Sequence, residues 1–585
     1  MTMVRSISTS MAVYPMFSEL LPASVCSSLD KVNRQFMWGE EEGKTSFHPI
    51  AWEQMTLPKS QGGAGIRPTK LANQAMLAKG GWKLVTKEDS LWTRLLLEKY
   101  GRNREGLEVL KKIKGSSLAW RSFTSIANVL KKGYAINVKN GKHTHFWLDP
   151  WIMQVPLIDM ALEEIPEEKK EQLVADLWEP DSGWRLDEFQ SLLPQQVVDQ
   201  IRAAIVDPLA AEEDRPFWSL TANGSFSASS TFKALQHQNP EVNQHYWKRI
   251  WKLQVLERVR VFIWMAVQGK LTTNSIRKHR HLTQDDSCIE CRGIPETNVH
   301  CLRDCRKAKT VWTKIVDGQR EFDFFNSNYD DWLKANLMDD SHGTWPGQWA
   351  DFLSLVMWYV WKCRNDEVFK GIKLANSTRQ HYITAKATEW VKIWDSAKLS
   401  LAVGEKRERV EAMIGWTSPP IGWYKLNTDG AAQSNPGIIT AGGVLRDHNG
   451  DWVGGFCSKI GTGTALLAEL WGILQGLDLA WRKGIQFLIL ESNSQLALQI
   501  IDNRRDSVHP HATLLGAIRR LLAKEWVVQL VHTYREGNRV ADWLSKHSLV
   551  YPFGTYELEN PPLELDRICT EDIVGVSFPR QVHQN

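Results

Sequence analysis

Two textures of hydrophobic spacing divide the chain. Up to about residue 415, apolar positions recur mainly at helical intervals, interrupted by turn signals such as Gln61-Gly62-Gly63-Ala64-Gly65 and Gly80-Gly81. From Trp423 the pattern changes to short, turn-bounded runs. Tyr424 to Asp429, Gly442 to Asp447 and Trp452 to Ile460 predict three antiparallel strands, with His448-Asn449-Gly450 supplying a hairpin turn. Leu466, Leu470, Ile473, Leu474, Leu477 and Trp481 then recur at helical spacing, and Gly484 is a natural stop. Beyond it the pattern predicts a strand over 487–490, helices over 495–501 and 514–522, a strand over 527–534 and a helix over 540–547. The order β-β-β-α-β-α-α-β-α predicts a mixed five-stranded sheet with helices on its faces.

A chain of 585 residues is too long for one core, so several domains are expected. The net charge of +4 is too small to single out a nucleic-acid binder. Tryptophan is unusually frequent at 28 copies, and most are expected to anchor cores, with base-stacking platforms as the minority use. No apolar run of membrane-spanning length exists, so no membrane partner is expected. The first residues lack the sustained apolar stretch of a secretory signal. With four of eight cysteines between Cys288 and Cys305, the pattern favours a metal site in a reducing, intracellular setting over a disulfide framework. No fixed-period repeat is present.

Candidate chemistry lies in two places. Cys288, Cys291, His300 and Cys305 follow the spacing C-x2-C-x8-H-x4-C. A Cys-x2-Cys knuckle closed by a distant His/Cys pair suits tetrahedral, structural Zn2+, with no open position for a reacting water. Cys301 is a competing ligand only if His300 turns away. In the C-terminal segment, Asp429, Glu469 and Asp542 fall on a strand and two helices, and Asn493 follows the intervening strand in Leu490-Glu491-Ser492-Asn493-Ser494. If these groups converge, they offer the oxygen ligands that hard divalent cations take.

The run Leu426-Asn427-Thr428-Asp429-Gly430-Ala431, the Ala468-Glu469 acid, and His532-Thr533-Tyr534-Arg535-Glu536-Gly537-Asn538 followed by Ala541-Asp542 resemble the ribonuclease H-like domain fused to plant LINE-type (non-LTR) retrotransposon reverse transcriptases. The Cys/His cluster resembles the zinc-binding module that precedes that domain. Its surroundings include Arg258-Val259-Arg260-Val261-Phe262-Ile263-Trp264, Glu296-Thr297-Asn298-Val299-His300 and Val311-Trp312. The resemblance implies two Mg2+ ions and hydrolysis of the RNA strand of an RNA/DNA hybrid. Asp429 would bridge the ions, Glu469 and position 493 would hold one, and Asp542 would help hold the other. Where the family carries a fourth acid, this chain carries Asn493, whose amide ligates without charge, so weaker binding of one ion and impaired catalysis are expected. Glu491 shares the strand face of position 493 but matches an acid the family also carries, and is not expected to be a new ligand. Asn435-Pro436-Gly437 resembles the turn that contacts the hybrid's minor groove, and reads equally as a plain Pro-Gly turn. His532 is left outside the catalytic set. Arg258, Arg260, Arg277, Lys278 and Arg280 could line phosphates or form a solvated face.

Phe36-Met37-Trp38-Gly39 and Phe146-Trp147-Leu148-Asp149-Pro150-Trp151 resemble segments that follow the polymerase core of such elements. No polymerase-type aspartate hairpin is found; Tyr329-Asp330-Asp331 sits in a helical pattern, and DNA synthesis is not expected. The expected organisation is multidomain, mainly α in its N-terminal and central regions. A post-palm connection region covers 1–150, an acidic, proline-interrupted connector 151–225, the zinc module 226–318 and a helical spacer 319–418. The α/β ribonuclease H-like domain covers 419–550 and a tail 551–585. Nucleic acid, as RNA/DNA hybrid or RNA, is the expected partner, with no small-molecule substrate, and nuclear residence is implied by resemblance only. The competing expectation is a non-catalytic nucleic-acid-binding or scaffolding remnant.

Overall fold

Tryptophans mark the cores: Trp120, Trp147, Trp218, Trp264, Trp312 and Trp332 are fully buried, while Trp92 and Trp394 are exposed. The structure is a computed structural model that describes residues 13–39, 47–179, 182–208, 210–236, 242–341, 347–402, 409–503 and 508–583. The chain divides into two units, one holding residues 21–73 and 235–406 and the other residues 74–234 and 407–585, with short N-terminal pieces assigned to each. Among the described residues no helix is long and apolar enough to cross a membrane.

The first unit is helical. Its core gathers Trp264, Trp312, Trp332 and Phe352 from successive helices, among them Glu257–Val267 and Trp349–Lys370. The indole of Trp264 donates to the Gly62 carbonyl at 2.7 Å, so a fully buried ring keeps its polar edge satisfied. Tyr329-Asp330-Asp331 opens the helix Tyr329–Leu337, which Asn328 caps by accepting from the Asp331 amide.

The second unit contains the mixed sheet. Its elements are β1 (Tyr424–Ala432), β2 (Gly437–Arg446), β3 (Trp452–Gly463), α1 (Ala465–Arg482), β4 (Phe487–Ser492), α2 (Gln495–Asp502), α3 (Ala512–Leu522), β5 (Val527–His532) and α4 (Arg539–His547). A further strand, β6 (Gly554–Leu558), completes the order β5-β4-β1-β2-β3-β6. β1, β2 and β3 run antiparallel, as expected, while β4 and β5 join in parallel. The sheet therefore has one strand more than the five read from the pattern, contributed by the stretch read as a tail. That stretch also carries the helix Asp566–Ile573 and the strand Phe578–His583, which pairs antiparallel with Arg409–Ile414. Asp572 meets the fully buried Arg446 at 2.9 Å, and the guanidinium lies 3.8 Å over the Trp416 ring.

Residues 134–218 fold in this unit too. Tyr134–Asn137 pairs antiparallel with Arg215–Trp218, and the helix Gln195–Arg202 lies against β3, where Gly461 leaves no room for a side chain beside the Asp199 carbonyl.

Candidate active site and metal centre

Two glycines bring the acids together. Asp429 lies opposite Gly442 in the β1/β2 register, and a methyl on Gly442 would overlap the Ser545 amide, so only glycine lets α4 settle onto the strand. A methyl on Gly430 would overlap the backbone of Ala468 and Glu469, so α1 approaches β1 equally closely. Asp542 and Ser545, three residues apart on α4, share a helix face.

Asp429 is buried, and each of its oxygens accepts one side-chain hydrogen bond: Oδ1 from the Asn493 amide at 2.7 Å and Oδ2 from the Ser545 hydroxyl at 2.7 Å. Burial raises its carboxyl above the ordinary range, and the bonds from Ser545 and Asn493 oppose the rise. Glu469 accepts from the Gly430 amide at 3.1 Å. Burial, then the neighbouring Asp429 charge, push its carboxyl up to about 9. Asp542 is more open and pairs with Lys546 at 2.6 Å. Arg535 acts electrostatically on both Asp429 and Glu469. The sequence expectation brought Asp429, Glu469, Asn493 and Asp542 to one place, and they interact there. It missed Ser545, Arg535 and Lys546; the signal for Ser545 was its position three residues beyond Asp542.

The other expected residues take separate places. Asn435 Oδ1 accepts from the Ala465 amide at 3.2 Å, so the Asn435-Pro436-Gly437 turn is tied to the start of α1. Glu491 accepts from Lys425 at 2.7 Å and from Asn427 at 2.9 Å, engaged away from Asp429. His532 stacks edge-on against Tyr534.

Three carboxylates and an amide oxygen are a donor set suited to Mg2+, with one negative charge fewer than four acids would bring. Among the described residues they are not drawn as tightly as the second cluster. There, the ligand atoms of Cys288, Cys291, His300 and Cys305 all lie within 4.8 Å of one another. A bridge between Ser287 and Pro295 and the Cys288 amide bond to Ile294 close the knuckle, with Gly293 at φ 76° turning the chain. Cys305 follows the turn His300–Asp304 and returns its amide to the His300 carbonyl at 2.7 Å.

The Sγ atom of Cys305 stands 3.8 Å from those of both Cys288 and Cys291. Thiolates about 2.3 Å from a tetrahedral zinc stand about 3.8 Å apart, whereas a disulfide needs about 2.05 Å. The buried Nε2 of His300 has no hydrogen-bond partner. The spacing and the orphaned nitrogen both fit Zn2+. Cys301 stays in the core, its thiol pushed up by burial, outside the cluster. Of the flanking basic residues, Arg260 donates to the Leu253 and Val255 carbonyls and Lys278 pairs with Asp286, while Arg258 is exposed.

A six-stranded mixed sheet with acids on β1, α1 and α4 defines a ribonuclease H-like domain, and the first unit carries a Cys3His zinc-type knuckle. Family models agree: residues 427–548 match "Reverse transcriptase-like" and residues 226–312 match "zinc-binding in reverse transcriptase". A provisionally named ribonuclease H protein of Arabidopsis thaliana is 33% identical over 100% of this chain and 94% of its own length. An uncharacterized mitochondrial protein of the same plant is 32% identical over 25% of this chain and 95% of its own length. The chain belongs to the family of plant retrotransposon-derived proteins that join a reverse-transcriptase zinc-binding module to a ribonuclease H-like domain. Among solved structures, the N-terminal ribonuclease H domain of Rv2228c from Mycobacterium tuberculosis is 24% identical, covering 22% of this chain and 93% of its own, at TM-score 0.21. Ribonuclease H1 of Halobacterium salinarum is 26% identical, covering 22% and 97%, at TM-score 0.20.

Proposed function

We propose that the C-terminal domain binds an RNA/DNA hybrid and hydrolyses its RNA strand in a two-metal reaction, with one metal position weakened by Asn493. The observation that supports this reading most is the meeting of three acids from separate elements around Asp429 of β1: Glu469 of α1 accepts from the adjoining Gly430 amide, and Ser545, one turn beyond Asp542 on α4, donates to Asp429 itself. Mg2+, when bound, would supply a Lewis acid and an activated water at the phosphodiester. Asp429, Glu469, Asn493 and Asp542 would hold it.

The chain's own groups prepare that site. Ser545 and Asn493 fix the Asp429 carboxylate in orientation, and the Gly430 amide fixes Glu469. Lys546 and Arg535 offset the gathered negative charge before a cation arrives. The Asn435 turn, beside the start of α1, is the proposed contact with the hybrid's minor groove. In the first unit, Cys288, Cys291, His300 and Cys305 would hold Zn2+ as a structural ion.

One contact favours a second reading, a hybrid-binding protein without turnover: the Asn493 amide donates to the Asp429 oxygen that a metal would share. The test is Mg2+-dependent cleavage of a labelled RNA/DNA hybrid by the full chain, beside Asp429→Asn and Asn493→Asp. Cleavage that vanishes in Asp429→Asn supports the hydrolytic reading. Silence in the natural chain with activity in Asn493→Asp supports the second.

A further inference from the structure

Residues 102–145 hold ten Lys or Arg and two Glu, a net of +8. The chain as a whole is only +4, so taking away +8 leaves −4 for all remaining residues. Positive charge is thus concentrated in one stretch, within the same unit as the acidic site. Arg102 and Lys139 are balanced from outside the stretch, by Glu98 at 2.8 Å and Glu212 at 2.9 Å, so the excess positive charge rests on the exposed residues between them.

The fold brings the basic residues together. A methyl on Gly81 would touch Ile126 at 2.7 Å, Leu130 at 3.0 Å and Leu110 at 3.8 Å, so Leu110 and Leu130 meet at one point of a single helix. Each leucine is followed directly by a Lys-Lys pair, Lys111-Lys112 and Lys131-Lys132, and all four lysines are exposed. Lys114 and Arg121 are exposed between them. Apart from Lys111, whose nearest carboxylate is Glu108 at 3.8 Å, none of these six pairs with a carboxylate among the described residues. The apolar seam is therefore roofed by cations.

The seam is tied to the ribonuclease H-like domain. Directly after Lys132 comes the strand Tyr134–Asn137. The Asn137 amide donates to the His509 carbonyl at 2.6 Å, and the Thr513 hydroxyl donates to the Val138 carbonyl. Ile136, Asn137 and Val138 line one cavity with Pro436 and Thr464, the neighbours of the Asn435 turn. Four strand residues span about 13 Å, well under a duplex turn of about 34 Å.

We propose that this lysine seam is a phosphate-binding platform that grips the backbone of a nucleic-acid duplex running on from the ribonuclease H-like site. Lysines suit this task because they neutralise phosphates without reading bases, fixing position along the duplex while leaving sequence free. The proposal rests on the hybrid-binding reading given above and adds the surface that would hold the flanking duplex.

The test uses the full chain and fluorescein-labelled RNA/DNA hybrids of roughly 30 and roughly 10 base pairs, about three turns and one. Binding is measured without divalent cations over a series of salt concentrations. The variant Lys111→Gln/Lys112→Gln/Lys131→Gln/Lys132→Gln is compared with a control, Lys362→Gln/Lys370→Gln/Lys373→Gln/Lys392→Gln. Each phosphate contact contributes about 0.9 to the slope of log affinity against log salt, so the seam variant should flatten it by about 3 to 4 on the long hybrid. Its affinity for the long hybrid should fall at least about tenfold, with less than about threefold loss on the short one. An unchanged slope, or an equal loss in the control, overturns the proposal. Lysine-dependent binding to phosphatidylserine vesicles, with no such dependence on duplex, assigns the surface to a membrane and also overturns it. A flattened slope in a chain that shows no Mg2+-dependent cleavage would sink the hydrolytic reading and leave the platform standing. Intact cleavage with an unchanged slope would do the reverse.

Discussion

The side-chain amide of Asn493 donates to Oδ1 of Asp429 across 2.7 Å, turning a would-be ligand into a hydrogen-bond donor. Asn493→Asp replaces that donor with a second carboxylate beside a buried one. In EDTA the variant should lose about 1–3 kcal/mol of stability, since like charges then face each other with a bond lost. With Mg2+ present the variant should recover part of that loss through about tenfold tighter Mg2+ binding, ~1.4 kcal/mol, read by calorimetry. Equal Mg2+ affinity in both proteins would show that position 493 is not a ligand.

Ser545 should matter through Asp429. Ser545→Ala removes the hydroxyl bond to a buried carboxylate and should cost about 1–3 kcal/mol, measured by urea unfolding without metal. Hybrid cleavage, where present, should fall with kcat and leave KM little changed, because the carboxylate loses orientation and the substrate loses no contact.

The raised Glu469 carboxyl sets a pH dependence in the metal-free protein. Unfolded, the group ionises near the ordinary glutamate value of 4.5; folded, it holds its proton up to about 9. The native state therefore binds more protons between those values, and stability declines as pH rises from about 4.5 to about 9. Glu469→Gln should flatten that decline and gain about 1–3 kcal/mol at pH 7 in EDTA. A variant whose stability falls with pH as steeply as the natural chain would refute the assignment.

Metal removal should act on the first unit. Elemental analysis of the purified chain should give one Zn2+, lost in Cys305→Ala and retained in Cys301→Ala. Structural zinc contributes on the order of 10 kcal/mol to small modules, so chelation should unfold the knuckle as followed by circular dichroism. Zinc that persists in Cys305→Ala would place the ion elsewhere.

Arg446 and Asp572 form a buried pair. Asp572→Ala leaves a guanidinium buried without its carboxylate and should cost about 3–5 kcal/mol in denaturant unfolding. A fragment ending before Asp566 should be destabilised in the same way. A domain cut at residue 550, where the sequence pattern ends it, would then report on a damaged fold.

What was legible in the sequence follows its physics. The helix α1 and the first three strands announced themselves by period, and the zinc knuckle by the fixed reach of a Cys-x2-Cys turn. Strand β2 begins at Gly437, five residues before its reading at Gly442, because the Pro436-Gly437 turn hid a start whose Ile439 and Ala441 are fully buried. Strand β6 was missed because Gly554-Thr555-Tyr556-Glu557-Leu558 is an edge strand with no buried residue and so no apolar alternation. Lys546 was legible as the i,i+4 partner of Asp542 and was overlooked, whereas the bond of Ser545 to Asp429 depends on the β1/β2 register and on Gly442, which sets how closely α4 descends. Spacing along one helix does not encode that distance.

The strands Arg409–Ile414 and Phe578–His583 lie side by side, with Arg409 opposite His583. Segment 409–583 enters and leaves through one doorway, with residues 134–218 packed on it from elsewhere in the chain. Such a module can be spliced into a loop of another protein without stretching its host, or have its two strands joined by a short linker and be opened anew at a surface turn such as His448-Asn449-Gly450. A permuted chain that folds would show that the path into this domain is separable from the architecture it reaches.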